Sequence, residues 1–260
     1  MTNQEKLNKA QTERVGEIRL NRYGTPMKII DYINSANVIV EFQDEYHYRK
    51  HTDYDSFKNG KIKNPYDKTM FGVGYLGDGK FGADKNNKRT YQVWQDMLVR
   101  CYSKKQNKSK TCYDECVVCD EWHNFQNFAK WYEDNYYEIS DQRMHIDKDI
   151  LCKNNVVYSP KTCIIVPSEI NALMVKRKKQ RGNTPIGVYY NKKACLYFSF
   201  CWTGGSQKEY LGQYNTPEEA FTVYKIRKEQ YIKEIADKYK KHIPQKLYDA
   251  LYRYKVEITD

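Results

Sequence analysis

The 260 residues suffice for one large domain or two to three small ones, and 44 Lys+Arg against 33 Asp+Glu leave a formal charge of +11. A positive excess of this size points to a polyanionic partner. No apolar run approaches the roughly 18 residues of a membrane-spanning helix, and the opening "MTNQEKLNKAQTERVGEIRL" has no signal-peptide core, which argues against a membrane partner and for a cytoplasmic location where the eight cysteines stay reduced.

Residues 1–14 read as a polar, frayed start or a short helix. From Val15 to about Gly82 the pattern is β: "MKIIDYI", "NVIVEFQ" and "YRKHTDYDSF" are rich in β-branched and aromatic residues, and turn formers separate them. Short strands at this spacing predict a strongly bent sheet or an SH3-like barrel. Tyrosine supplies 25 residues of the chain, a side chain that packs small sheets with its ring and meets phosphate or base edges with its hydroxyl. The glycine run "GVGYLGDGKFG" (72–82) lacks the GK[ST] ending of a phosphate loop and reads as a flexible exit from the barrel.

Helical periodicity follows over residues 89–139. Tyr91, Trp94, Leu98 and Cys101 share one apolar face. "SKKQNKSK" is a solvated basic loop. Asp120 is placed to cap "EWHNFQNFAKWY", whose Trp122, Phe125, Phe128, Ala129 and Tyr132 are assigned to core. Strand, loop, strand and helix come next in "RMHIDKDIL", "CKNNVVYSPKTC", "IIVP" and "SEINALMVK", with Ser168 as the expected N-cap. The basic stretch "KRKKQRGN" (176–183) marks a boundary.

In "CLYFSFCW" (195–202), Leu196, Phe198, Phe200 and Trp202 alternate with Cys195, Tyr197, Ser199 and Cys201. With "IGVYY" and "EYLGQY" this predicts a three-stranded antiparallel sheet. A long helix starts at Thr216-Pro217-Glu218-Glu219, a capping box with proline at the first helical position, and Pro244 opens one more helix. The reading is an α+β chain with a β-rich, barrel-like module (1–82), a helical plus ββα module (89–175), and a C-terminal sheet with packed helices (184–260).

Two parts of the chain resemble known families. "VWQDMLVRCY" (93–102), "VCDEWHNFQNFAKWY" (118–132) and "IDKDILCKNNVVYSPKTCIIVPSEIN" (146–171) are similar to the HNH-type proteins of bacteriophages, including relatives of homing endonucleases. "IGV" (186–188) and "YLGQYNTPEEAFTVY" (210–224) resemble the APETALA/ethylene-response-factor DNA-binding domain. Residues 15–82 are similar to an N-terminal module in some of the same phage proteins. The likeness implies a phage or mobile-element origin.

The HNH resemblance implies a ββα fold around a divalent metal, a histidine as general base, an asparagine that orients it, and acidic, amide or imidazole ligands. By position Asp147 matches the metal-side aspartate, Asn155 or Asn154 the loop asparagine, and Asn171 the helix ligand. Lys148 falls where the base belongs. An exposed lysine, with a pKa of about 10.4, is protonated at neutral pH and serves as a phosphate contact; to act as a base it would need burial strong enough to depress its pKa by several units. His145, Asp147 and Asp149 alternate along the expected strand and so share one face, an imidazole beside two carboxylates that forms a relocated metal-site pattern. The competing account is a packed histidine with solvated aspartates.

Cys112, Cys116, Cys119 and His123 lie at spacings compatible with a zinc site, against a reading of the same segment as packed core. For the C-terminal sheet the resemblance implies a strand face in a DNA major groove, with Tyr189, Lys192, Lys193, Tyr197, Ser199 and Lys208 as candidates. Lys176, Arg177, Lys178, Lys179 and Arg181 are expected to track phosphates. The expectation is therefore a nucleic-acid-binding protein, for DNA or RNA, derived from an HNH endonuclease and catalytically impaired. It needs no cofactor, and magnesium or manganese enters only if the nuclease site works. The competing functions are an active metal-dependent endonuclease and a counter-defence, anti-CRISPR-like protein that holds RNA or docks on a host nucleoprotein complex.

Overall fold

The computed structural model describes residues 2–103, 115–175, 183–203 and 208–260. Among them are seven α-helices and several separate sheets, a mixed α+β architecture. The chain divides into two compact units, Met1–Glu133 and Asp134–Asp260. That boundary falls inside the residues 89–175 expected to form the central module.

In the first unit α1 (Asn3–Arg14) begins at a capping box in which Thr2 and Glu5 bond each other's backbone N–H. Four antiparallel strands follow in sequential order: β1 (Ile18–Leu20), β2 (Pro26–Asn34), β3 (Asn37–Phe42) and β4 (Arg49–Thr52). Alternation along β2 and β3 sends Met27, Ile29, Tyr32, Val38, Val40 and Phe42 inward, where Phe57 of α2 (Tyr54–Lys58) closes the core. Side chains of this size each contribute roughly 1.5–3 kcal/mol when fully buried. The expected barrel does not form. Closure would require β1 to pair with β4, but β1 is three exposed residues hydrogen-bonded to β2, and β4 pairs with β3.

Helix α3 (Lys88–Tyr102) buries Val93, Trp94, Met97, Leu98 and Cys101 along one face. Trp94 donates its indole N–H to the Trp122 carbonyl at 2.7 Å. Short strand β5 (Val117–Val118) precedes a 3-10 turn over Asp120–His123, and α4 (Phe125–Asn135) starts only afterwards. Asp120 therefore does not cap the long helix, because the 3-10 turn intervenes and Cys119 stands at its N-cap. The glycine run is also not a flexible exit. Gln126 donates to the carbonyls of Leu76 and Phe81 and accepts from the Phe81 N–H. At Gly77 an added Cβ would lie 2.3 Å from the Asn124 side chain, so the residue is glycine because another side chain approaches its backbone.

The second unit opens with β6 (Met144–Asp147), followed by β7 (Val157–Tyr158), β8 (Ile164–Pro167) and α5 (Ser168–Leu173). β6 and β8 pair antiparallel, with His145 opposite Val166 and Asp147 opposite Ile164. Pro167, not Ser168, occupies the N-cap of α5; the Ser168 hydroxyl donates instead to Gln142 Oε1 at 2.8 Å. The C-terminal sheet has the order β11 (Lys208–Tyr214), β10 (Leu196–Trp202), β9 (Val188–Asn191). Helix α6 (Pro217–Tyr239) packs along it, starting at the Thr216–Glu219 capping box, and α7 (Gln245–Arg253) follows. Ile164 and Val166 of β8 and Ile170 of α5 share one hydrophobic core with Val188, Cys201, Tyr224, Ile232 and Leu251. Residues on both sides of the basic stretch thus contribute to a single core. Lys238 and Tyr239 of α6 donate hydrogen bonds to Glu169 of α5. Burial opposes ionisation there, but those donors hold the Glu169 carboxyl below the ordinary range.

Candidate functional site

Strand β6 ends at Asp147, and residues 148–150 form a bend. His145 and Asp147 are half-buried on one face, while Met144 and Ile146 are buried on the other. Asp149 lies beyond the strand end, so the alternation expected for His145, Asp147 and Asp149 stops one residue pair short. Asp147 Oδ1 accepts the backbone N–H groups of Asp149 and Ile150, both at 2.8 Å, and this pins the bend. Burial pushes the Asp147 carboxyl above the ordinary carboxylate range against the pull of those two donors.

Lys148 is not the exposed cation expected at this position. It is 7 % exposed. Its ammonium donates to Asp149 Oδ1 at 2.9 Å, Asp149 Oδ2 at 3.0 Å and the Asn155 carbonyl at 2.6 Å. An ammonium has three protons and no acceptor, and three oxygens surround this one. Asn155 completes the clamp: its side-chain amide donates to the Lys148 and Val157 carbonyls, and its Oδ1 accepts from the Val157 N–H. Asn155 therefore holds the loop closed. Asn154, the other loop candidate, sits at φ 61 in the turn before it. Asn171 lies half-buried on α5, and its carbonyl accepts from the Met174 N–H at the helix end. Among the described residues, no group of three or more His, Cys, Asp or Glu side chains is arranged to hold a metal ion.

In the cysteine segment Cys112 lies outside the described residues. Cys116 is buried, and burial raises the Cys119 thiol and lowers the His123 imidazole. His123 Nε2 stands 3.3 Å from the Tyr102 hydroxyl, which also accepts the Val118 N–H at 3.0 Å. Aromatic packing of Trp122 against Phe128 and Trp131 accounts for the segment's position.

The C-terminal sheet has two unlike faces. Register places Tyr197 opposite Tyr190, and Ser199 opposite Val188 and Gly212. That face meets α6: Ser199 is 0 % exposed, Cys201 is equally buried, and Tyr197 packs on the core. Tyr197 and Ser199 therefore do not belong to an exposed binding face. The helix approaches this face over its small side chains, Ser199 and Cys201, with Tyr197 packed beside them. Gly187 shows how close: at φ +79, an added Cβ would fall 2.1 Å from the Tyr224 ring.

The opposite face carries Tyr189, Phe198, Phe200, Tyr210, Trp202 and Lys208, joined by the pairs Phe198–Tyr189, Phe200–Tyr210 and Trp202–Lys208. Tyr189 is 60 % exposed, Trp202 54 % and Tyr210 53 %. Phe198, Phe200 and Tyr210 form a triangle with centroids 5.4–6.5 Å apart. Lys208 Nζ lies 3.7 Å over the Phe200 ring. Lys192 and Lys193 are exposed in the β9–β10 turn, where Asn191 Oδ1 accepts the Lys193 and Ala194 N–H groups. Lys176, Arg177, Lys178, Lys179 and Arg181 lie outside the described residues.

Comparison of the chain with family models, with curated proteins and with solved structures gives no match. Among the described residues, no helix is long and apolar enough to cross a membrane.

Sequence reasoning missed Phe198, Phe200, Trp202 and Tyr210 as surface residues. The signal that finds them is the run of small partners, Gly187, Ser199 and Cys201, which marks the side a helix can approach.

Proposed function

We propose that the chain is a nucleic-acid-binding protein whose ββα segment is a scaffold derived from an HNH nuclease rather than a working active site. The observation that carries the reading is Lys148. A general base needs a lone pair directed at water, and the lysine at the base position turns its Nζ to three oxygens within 3.0 Å, two of them the Asp149 carboxylate, an arrangement that favours the charged form over a free lone pair. The net charge of +11 and the lysines around the C-terminal sheet support retention of a polyanion grip. The resemblance to phage HNH proteins supports a phage or mobile-element origin.

The test is paired cleavage and binding. With magnesium or manganese present, the full chain is expected to leave supercoiled plasmid and single-stranded DNA intact, and to bind nucleic acid at low salt. Affinity should fall with log salt by about 0.9 per duplex phosphate contact, or about 0.7 per single-strand contact. Replacing Lys176, Arg177, Lys178 and Lys179 by glutamine should flatten that slope. Metal-dependent nicking abolished by Asp147→Ala or His145→Ala would refute the scaffold reading. Absence of binding to any polyanion at low salt would refute the nucleic-acid reading and leave the basic surface to a protein partner.

A further inference from the structure

We infer that the outer face of the C-terminal sheet is a stacking platform for unpaired bases of a single-stranded nucleic acid, held by the juxtaposition of Tyr189, Phe198, Phe200, Tyr210 and Trp202 with Lys208. The inference rests on the nucleic-acid reading above and names the substrate class of one surface.

Three properties of that face lead to this occupant. The first is ring exposure. Burial of large apolar side chains is the ordinary outcome of folding, yet here three rings remain more than half exposed while Ser199 on the reverse side is fully enclosed. Every base has a π-face, so a row of open rings accepts successive bases without regard to sequence. The second is charge. Strands β9–β11 and the Lys192–Cys195 turn contain one carboxylate, Glu209, which pairs across from buried Cys201 on the helix side, where Arg227 Nε donates to it at 2.8 Å. The ring-bearing face thus shows lysine and no acid, a complement to phosphate. A second protein strand or an acidic peptide has no comparable use for five aromatic positions on one sheet face.

The third property concerns duplex DNA. Reading base edges in the major groove uses Arg, Lys, Asn or Gln directed into the groove. The middle of this face is Phe198, Phe200 and Tyr210, which present ring surfaces and a single hydroxyl, with one amide, exposed Gln213 opposite Phe198, at the β11 side. A paired base offers its edge to the groove and keeps its face inside the stack; an unpaired base offers its face. Rings match the second geometry. Lys208 Nζ covers the Phe200 ring at 3.7 Å, so the rings open to a base are those of Tyr189, Tyr210 and Trp202, and the ammonium is placed to meet a phosphate beside them.

The experiment is fluorescence anisotropy of the full chain with labelled oligouridine, oligothymidine, a mixed-sequence duplex, and inorganic polyphosphate as a polyanion without bases. Tyr189→Leu, Tyr210→Leu and Trp202→Leu are chosen because these side chains are exposed and leucine keeps an apolar surface, so the sheet is retained; circular dichroism confirms it. Single strands are expected to bind more tightly than duplex. Each leucine variant should weaken single-strand binding by about fivefold or more and leave polyphosphate binding within twofold. A preference for oligouridine or for oligothymidine supports the platform in either case. Single-strand affinity unchanged in all three variants, with polyanion binding intact, overturns the platform and leaves the broader reading standing. Loss of binding to all four ligands in the parent chain overturns both.

Discussion

Replacing Lys148 with methionine separates a structural ammonium from a phosphate contact. Methionine keeps most of the aliphatic stem, so little apolar burial is lost. The Asn155 carbonyl, however, loses the donor that stands 2.6 Å away, and leaving this part-buried acceptor without a partner costs about 1–3 kcal/mol. Asp149 behaves differently. Its side chain is 48 % exposed, so water replaces the lost partner and the ion pair itself accounts for about 0–1 kcal/mol. The sum is about 1–4 kcal/mol of destabilisation. In a domain slightly above 100 residues, each kcal/mol moves Tm by about 4 °C, which gives a fall of about 4–16 °C. Calorimetry of the full chain checks this, with anisotropy on single-stranded and duplex probes run in parallel. A Tm within about 1 °C of the parent, together with weakened nucleic-acid binding and a flatter salt slope, would show that Lys148 reaches phosphate and that the clamp is wrong. Lys148→His should be similarly destabilised and still fail to nick plasmid, since an imidazole cannot replace three donors at once.

Three further outcomes are expected. Asp147 has a carboxyl raised by burial, so the folded chain holds its proton more tightly than the unfolded chain; the stability it contributes is present below the unfolded pKa and is lost as pH rises through the folded one. Asp147→Asn keeps the acceptor for the two backbone N–H groups, so its urea midpoint should gain on the parent's between pH 4 and pH 7, and a constant or shrinking difference would contradict the burial account. Gly187→Ala should destabilise by about 3 kcal/mol or more, because it combines a left-handed backbone with a clash against a packed ring; urea denaturation within about 1 kcal/mol of the parent would place Tyr224 wrongly. Denatured without reductant, the chain should expose eight alkylatable thiols by mass spectrometry, and in the native state Cys152 and Cys195, both exposed, should react before buried Cys101, Cys116, Cys163 and Cys201; one zinc per chain, lost on Cys116→Ser, would move that segment from core to metal site.

Much of the fold was legible because it is written in short-range chemistry. The Thr216–Glu219 capping box, Pro217 at the first helical position and the three strands before it are local signals, and they recur in the structure where the sequence puts them. The apolar stripe of α3 was equally plain, since Trp94, Leu98 and Cys101 are spaced for one face. What was not legible depended on distant partners. Whether β1 meets β4 is decided by edge pairing, which no alternation pattern encodes, and the result is an open sheet. Lys148 looked exposed because its two partners differ in kind: Asp149 is adjacent, but the Asn155 carbonyl is a backbone group, invisible in a residue pattern. The loop that returns Asn155 to the end of β6 creates that acceptor.

The C-terminal sheet shows why the candidate surface was assigned to the wrong side in part. Alternation in "CLYFSFCW" separates two sets correctly, but hydrophobicity alone sends the aromatic set inward. Helix packing applies a different criterion. A 23-residue helix lying along three strands gains dispersion contacts by close approach, and close approach is possible over Gly187, Ser199 and Cys201. The large rings of Tyr224 and Phe221 are supplied by the helix, so the sheet must supply the small partners. Interdigitation of large against small satisfies core density, and the sheet's own aromatic residues are left on the outer surface. Once the helix is seen to bring the bulk, the exposed positions of Tyr189, Trp202 and Tyr210 follow from packing, and the lysines beside them give that surface its charge.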